Sequence, residues 1–365
     1  MNAPHLTIRS IQATLVKVPM RRALGTSAMR IDQAPLLLID LQTDEGVVGR
    51  AYLFCYLESA GVAATALVRD AAAVLASKSA APAEVRRLLE ARFRLVGARG
   101  IVSMIMAGID IACWDALAVA AGLPLATLLG APLRPIPAYN SNGLGLVAPE
   151  AVAQEALELV DEGFRAIKIR LGRARAEDDL AAVRAVRRAI PADVTLMADY
   201  NQALNPAAAR ERCRQLDDEG LAWIEEPVRH DDYATCAALA ALLRTPIQIG
   251  ENFAGPRAMA QALSHGACDL VMPDLERIGG VTGWIAAAAL ADAASIELSS
   301  HLFAEVSVHL LASSPTAHWL EYVDWADAIL QQPVKARDGC IAPPDRPGHG
   351  MAWDMDAVKH YEVRA

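Results

Sequence analysis

The sequence predicts an α/β chain: an N-terminal α+β unit, a closed (β/α) barrel, and a C-terminal segment that returns over the first unit. Three observations carry this. Strands and then helices fill the first third without alternating. From about residue 135, short apolar runs alternate with amphipathic helical stretches. Polar residues then recur at the C-terminal ends of those runs, the rim on which barrel active sites are built. At 365 residues the chain exceeds the usual single-domain size. The boundaries expected are an α+β unit over 1–130, a barrel over 131–325 and a returning segment over 326–365.

In order along the chain, "LTIRSIQATLVKV" (6–18) reads as a strand, and "APLLLIDLQTDEGVVGRAYLF" (34–54) as two strands around the turn "TDEG". Helical patterns fill 58–77, 83–95 and 102–122, the last ending at a glycine. The barrel strands are sought in "RAIKIRL" (165–171), "TLMADY" (195–200), "LAWIEEP" (221–227), "IQIGEN" (247–252), "DLVMPD" (269–274), "IELSSH" (296–301) and "HWLEY" (318–322). The last 40 residues lose the rhythm and carry prolines, so they are expected to return over the first domain.

Apolar residues make up 54% of the chain and charged residues 21%, which suits a soluble protein with a sizeable core. A net charge of −9 argues against nucleic acid or an anionic membrane as partner, but not against a small carboxylate met by local cations. The six cysteines are scattered without a CxxC pair, the N-terminus has no apolar signal core, and no uninterrupted apolar run reaches 18 residues. The expected location is the cytoplasm.

Asp199, Glu225 and Glu251 end successive runs, each 26 residues from the next. Such acids often cap the following helix. Three in register on neighbouring strands would instead repel one another unless a cation sits between them, and an all-oxygen donor set favours Mg²⁺. Asp274 and His301 end consecutive runs, so a carboxylate can fix the tautomer of an imidazole and make it a general base or acid. Lys168 and Arg170, two positions apart, share a strand face at the same rim, and Glu321 ends the last run. His309 and His318 are read as structural.

The motifs "KIR", "MADYNQ", "WIEEP", "IGEN", "MPDLERIGGVTGW", "SSHLFAEVSVHLL" and "TAHWLE" resemble the mandelate racemase branch of the enolase superfamily, almost end to end. The resemblance implies that the barrel is a modified (β/α) TIM barrel and the α+β unit, completed by the C-terminal segment, its N-terminal capping domain. It also implies abstraction of the proton α to the carboxylate of a 2-hydroxy acid, through an enediolate and with Mg²⁺ as cofactor. It implies Asp199, Glu225 and Glu251 as metal ligands and Asp274 with His301 as the base dyad. Lys168 and Ser141, the latter in "AYNSNG", would hold the substrate carboxylate. A protonated Glu321 would donate to the developing oxyanion, and Asn201 would support the site. Residues 21–35 match the loop that closes over substrate in relatives; Leu24, Ala28 and Ile31, with Phe54 and Tyr56, match an apolar pocket. Arg22 and Arg30 in that loop offer a polar alternative. Relatives assemble symmetrically, so a homo-oligomer is implied.

One position departs from the family. Its racemases carry a second lysine, the base on the face opposite histidine, where this chain has Arg170. Neutralising an arginine at pH 7 costs roughly 7–9 kcal/mol against about 5 for lysine. Arg170 is therefore expected to be a fixed cation. Three readings follow: a racemase or epimerase, as the overall resemblance implies; an acid-sugar dehydratase using His301 as base and acid; or a non-catalytic carboxylate-binding relative, against which the retained Asp274/His301 pair speaks.

Overall fold

The computed structural model describes residues 5–363. Its first unit is built on β1 (Ile8–Gly25), β2 (Arg30–Thr43) and β3 (Val48–Phe54), paired antiparallel in that order. Gly46, at φ 82°, makes the "TDEG" turn, and the Thr43 N–H closes it on the Val47 carbonyl at 2.9 Å. The segment expected to be a loop over the site is instead the far end of a long hairpin. Leu24 pairs with Ile31 and Gly25 with Arg30 beyond an irregularity at Pro19–Leu24. The hairpin tip docks on the barrel, where the Ser27 hydroxyl donates to the Tyr200 and Asn201 carbonyls at 3.1 Å each.

Helices Glu58–Leu75, Pro82–Arg92 and Ile101–Ala121 cover this sheet. The third is long and apolar enough by composition to cross a membrane, yet it is the core helix of this unit and carries two buried aspartates. Asp110 accepts from the Thr282 N–H and hydroxyl; Asp115 accepts from the Arg50 and His349 N–H groups. It stops at Gly122, which adopts the left-handed conformation (φ 68°) that ends helices.

The barrel strands are β4 (Ile136–Asn140), β5 (Ala166–Arg170), β6 (Thr195–Asp199), β7 (Ile224–Glu225), β8 (Ile247–Ile249), β9 (Leu270–Val271), β10 (Glu297–Leu298) and β11 (Leu320–Tyr322). They run parallel in sequence order, with β11 beside β4. A parallel bridge from Leu298 to Ala317, and the Ser300 N–H on the Trp319 carbonyl at 2.9 Å, close the ring between β10 and β11. β12 (Cys340–Ile341) adds to β4 antiparallel. The chain then returns to the first sheet: Trp353 donates to Asp40, and the Val363 N–H to the Leu15 carbonyl.

The two units meet through a buried acid. Tyr52 of β3 donates to Glu305 Oε2 at 2.9 Å and accepts from Trp325 Nε1 at 3.2 Å, with the Phe303 ring 5.2 Å away. Burial pushes the Glu305 carboxyl up to about 7 from an ordinary 4.5. The folded state therefore favours its protonated form, and that contribution to stability is lost as pH rises from about 4.5 through about 7. Glutamine keeps an acceptor for Tyr52 and has nothing to ionise. Glu305→Gln should gain stability relative to the parent across this window, by up to about 3 kcal/mol, in urea unfolding at pH 4.5 and 8. A difference that does not change with pH would contradict it.

Candidate active site

Parallel strands ending on one rim bring the polar residues together. Asp199 and Glu225 close β6 and β7, and Glu251 follows β8. One carboxylate oxygen from each lies within 4.8 Å of the other two. Asp199 and Glu225 are fully buried, and their carboxyls are pushed up by burial and by their acidic neighbours, against the pull of Lys168. The backbone is strained beside them: Asn201, Gln202 and Glu226 are left-handed, at φ 45°, 64° and 37°. Asn201 donates both its N–H and its amide to Asp199 (2.7 and 2.8 Å), leaving its own buried amide oxygen without a partner. An excess of buried carboxylate oxygens, held at fixed positions, fits a hard divalent cation.

Lys168 projects from β5 into this acid cluster. Its Nζ lies 2.6 Å from Glu225, 2.8 Å from Glu321 and 3.3 Å from Asp199, and 5.6 Å from the Tyr139 ring centroid. Burial opposes its charge, but Glu225 and Glu321 outweigh that and hold the ammonium well above its ordinary pKa.

Arg170, at the end of the same strand, faces a different set. Nη1 donates to the Ser141 and Gly143 carbonyls at 2.9 and 2.8 Å, and Nη2 to Ser141 Oγ at 3.2 Å. Carbonyls are acceptors only, so the arginine is pinned as a donor. What lies opposite the two neighbouring cations is thus an acid cluster for one and a loop of carbonyls for the other.

His301 stands across from them. Its Nδ1 is 2.7 Å from Asp274 Oδ2, and its Nε2 is 3.1 Å from Glu251 Oε2 and 3.8 Å from Glu321 Oε2. Burial works against the charged ring; Glu251, Glu321 and Asp274 overcome it and raise the imidazole well above its ordinary pKa. Asp274 Oδ1 is itself fixed by the N–H groups of Glu276 and Arg277 (2.9 and 3.0 Å). Left-handed Leu302 and Phe303 turn the chain sharply after the histidine.

These groups line a cavity of about 220 Å³. Lys168, Arg170, Asp199, Asn201, Glu251, His301 and Glu321 form its polar floor. Leu24, Ala28, Met29, Ile31, Phe54 and Tyr56 close it from the capping unit. A larger cavity of about 410 Å³ lies outside the rim, but of the acid cluster and its cations it contains none, so chemistry assigns the site to the smaller one.

Four residues considered for the site take other partners. Ser141 is completely buried and does not line the cavity; its oxygen accepts from Arg170, and its hydroxyl stays free to donate toward the Glu321 carboxylate beside it. Glu321 accepts from Lys168 and from the Leu302 N–H; burial raises its carboxyl, and Lys168 and His301 outweigh burial and lower it. Arg22 and Arg30 do not reach the cavity; Arg22 pairs with Glu162 and Glu158, Arg30 with Asp32.

Three residues escape the sequence reading. Glu226, raised by burial and by Glu251, receives the Asn252 amide at 2.9 and 3.0 Å. Arg277 reaches Tyr56 and Asn252. The doubled acid of "EEP" and the cation three residues after Asp274 were the available signals.

A capping sheet over a barrel whose rim gathers three acids defines a two-domain (β/α) barrel protein with a metal-type site. Family models agree over nearly the whole chain. Residues 10–130 match the mandelate racemase / muconate lactonizing enzyme N-terminal domain, and residues 151–357 the enolase C-terminal domain-like family. The chain belongs to the enolase superfamily, in its mandelate racemase / muconate lactonizing enzyme branch.

Among its relatives, the L-talarate/galactarate dehydratase of Salmonella typhimurium is 35% identical over 72% of this chain and 66% of its own length. The 3,6-anhydro-alpha-L-galactonate cycloisomerase of Streptomyces coelicolor is 30% identical over 98% of this chain and 99% of its own. A Bradyrhizobium enolase solved with magnesium and mandelic acid is 42% identical, with a TM-score of 0.94 over 99% of both chains. An alpha proteobacterial enolase (bal199) with bound magnesium is 46% identical, with a TM-score of 0.96 over 98% of this chain and 100% of that one.

Proposed function

We propose that this protein is a Mg²⁺-dependent enzyme that removes the α-proton of a 2-hydroxy carboxylate on one face only, with His301 as the base. Asp199, Glu225 and Glu251 would hold the ion. When bound, Mg²⁺ supplies a positive centre that acidifies the α-proton and offsets the acid charge that otherwise raises His301. The chain supplies the rest. Asp274 orients the imidazole so that Nε2 faces the cavity. Lys168 and Arg170 present fixed positive charge to the carboxylate end, and Glu321 keeps Lys168 in place.

The observation that carries this reading is the asymmetry of the cavity: a carboxylate-bound imidazole on one side, an arginine locked onto carbonyls on the other. With one base, His301 can take the α-proton and return it to a departing β-hydroxyl. Water leaves, and the resulting enol becomes a 2-keto acid. The unpartnered Asn201 oxygen and the nearby Gln202 amide suit the hydroxyls of such a substrate. The Salmonella relative, a dehydratase, agrees with this outcome. A racemase reading is favoured by a different observation, the apolar wall of Leu24, Ala28, Ile31 and Phe54, and by the Bradyrhizobium neighbour's mandelic acid.

A panel of 2-hydroxy acids in D₂O with Mg²⁺ tests both. At least one acid should lose its α-hydrogen signal in NMR. A semicarbazide-reactive keto acid identifies dehydration, and appearance of the other enantiomer identifies racemisation. No exchange with any aryl, aliphatic or sugar acid would leave the carboxylate-binding reading instead.

A further inference from the structure

Arg277 lines both the active cavity and the larger one outside it. Its backbone is fixed at two points: its N–H donates to Asp274 Oδ1 at 3.0 Å, and its carbonyl accepts from the Gly255 N–H at 3.0 Å. From there the guanidinium spans two units of the fold. Nη1 donates to the Glu251 carbonyl (3.0 Å) and to Asn252 Oδ1 (3.1 Å); Nη2 donates to the Tyr56 hydroxyl at 2.6 Å. Its central carbon lies 5.1 Å from the Tyr56 ring centroid.

Both ends of this span need an outside restraint. Tyr56 is in a left-handed conformation, φ 59°, that an aromatic residue rarely holds unaided. Glu251 lies beyond the end of β8, where ladder pairing has stopped. Its side chain is held at Oε2 by His301 Nε2 (3.1 Å) and at Oε1 by the Asn252 amide (3.0 Å), which also donates to both oxygens of Glu226. By taking Asn252 Oδ1, Arg277 decides which way that amide points. A lysine has the charge but not the planar fork needed to meet three separate acceptors.

We propose that Arg277 is a positioning residue that couples Glu251 to the Tyr56 wall of the cavity, so that filling the metal site steadies the capping unit through one guanidinium. This rests on the reading of Asp199, Glu225 and Glu251 as metal ligands. The test needs only Mg²⁺: calorimetric titration of the substrate-free protein, and hydrogen exchange over residues 54–58 with and without the ion.

The parent should show Mg²⁺-dependent protection of that segment. Arg277→Met should weaken Mg²⁺ binding about 10- to 100-fold, the usual loss for a group that orients a ligand, and abolish the protection. Arg277→Lys should recover only a minor part of the affinity. Tyr56→Phe should keep Mg²⁺ affinity within about threefold yet lose the protection, because only the span to the wall is cut. If Arg277→Met fails to fold, the Lys and Phe variants make the same distinction.

Arg277→Met binding Mg²⁺ within about threefold of the parent would overturn the proposal, since ligand-orienting groups contribute more than that. So would full recovery by lysine, or protection in the parent that is absent or indifferent to Mg²⁺. A parent that takes up no Mg²⁺ would instead remove the metal site itself, a result visible before any variant is made.

Discussion

His301→Asn should abolish α-hydrogen exchange, lowering it by about 10²–10⁴, the range a positioned general base contributes. The variant should keep its fold, because asparagine can still donate to Asp274, which in the parent sits 2.7 Å from the ring nitrogen. What asparagine lacks is a nitrogen able to take a proton where Nε2 stands, 3.1 Å from Glu251 and open to the cavity. The loss should fall on kcat rather than on Mg²⁺ affinity, since His301 is not among the three acids that meet. Asp274→Asn is expected to lose less: the base survives but its tautomer and orientation are no longer held. NMR of the exchanging acid in D₂O reads all three proteins directly. Exchange in His301→Asn within tenfold of the parent would mean that another group removes the proton.

The contrast between what could and could not be read from the sequence follows from the kind of neighbour each residue has. Asp199 and Glu225 were legible because parallel strands in consecutive order bring their ends together at a fixed repeat, so equal spacing translates into proximity. The same rule brought Asp274 to His301, which face each other across a parallel bridge. The contact of Ser141 with Arg170 was not legible, because Arg170 comes from the next strand and no spacing announces it. Nor was the ammonium 2.8 Å from Glu321, which counters the burial that raises that carboxyl. Arg277 and Asn252 were harder to place: Arg277 lies in the short helix Leu275–Ile278 and Asn252 in the turn after β8, where repeat spacing says nothing about side-chain direction. The resemblance implies a loop over residues 21–35, and the pairing of Leu24 with Ile31 carries a hairpin through that stretch to its tip.

Arg170→Lys should add what the parent lacks, a second base. Relative to the parent, interconversion of enantiomers should rise by at least about tenfold, within the range that one proton-transferring side chain supplies. Arginine is held charged in proteins and offers only N–H donors; here Nη1 and Nη2 are engaged by the Ser141 and Gly143 carbonyls and by Ser141 Oγ, while Nε has no partner among the described residues. A lysine at 170 would be shorter of donors, would stand beside Lys168 on the same strand face, and would line the same cavity. A neighbouring ammonium disfavours its charge, which moves a lysine toward the neutral form a base requires. Chiral chromatography on any acid that exchanges in the parent makes the comparison. Arg170→Met serves as the control: it loses the cation without gaining a base, so it should bind the carboxylate more weakly and racemise no better. If the parent already racemises mandelate efficiently, arginine is no obstacle, and the one-faced chemistry assigned to His301 fails with it.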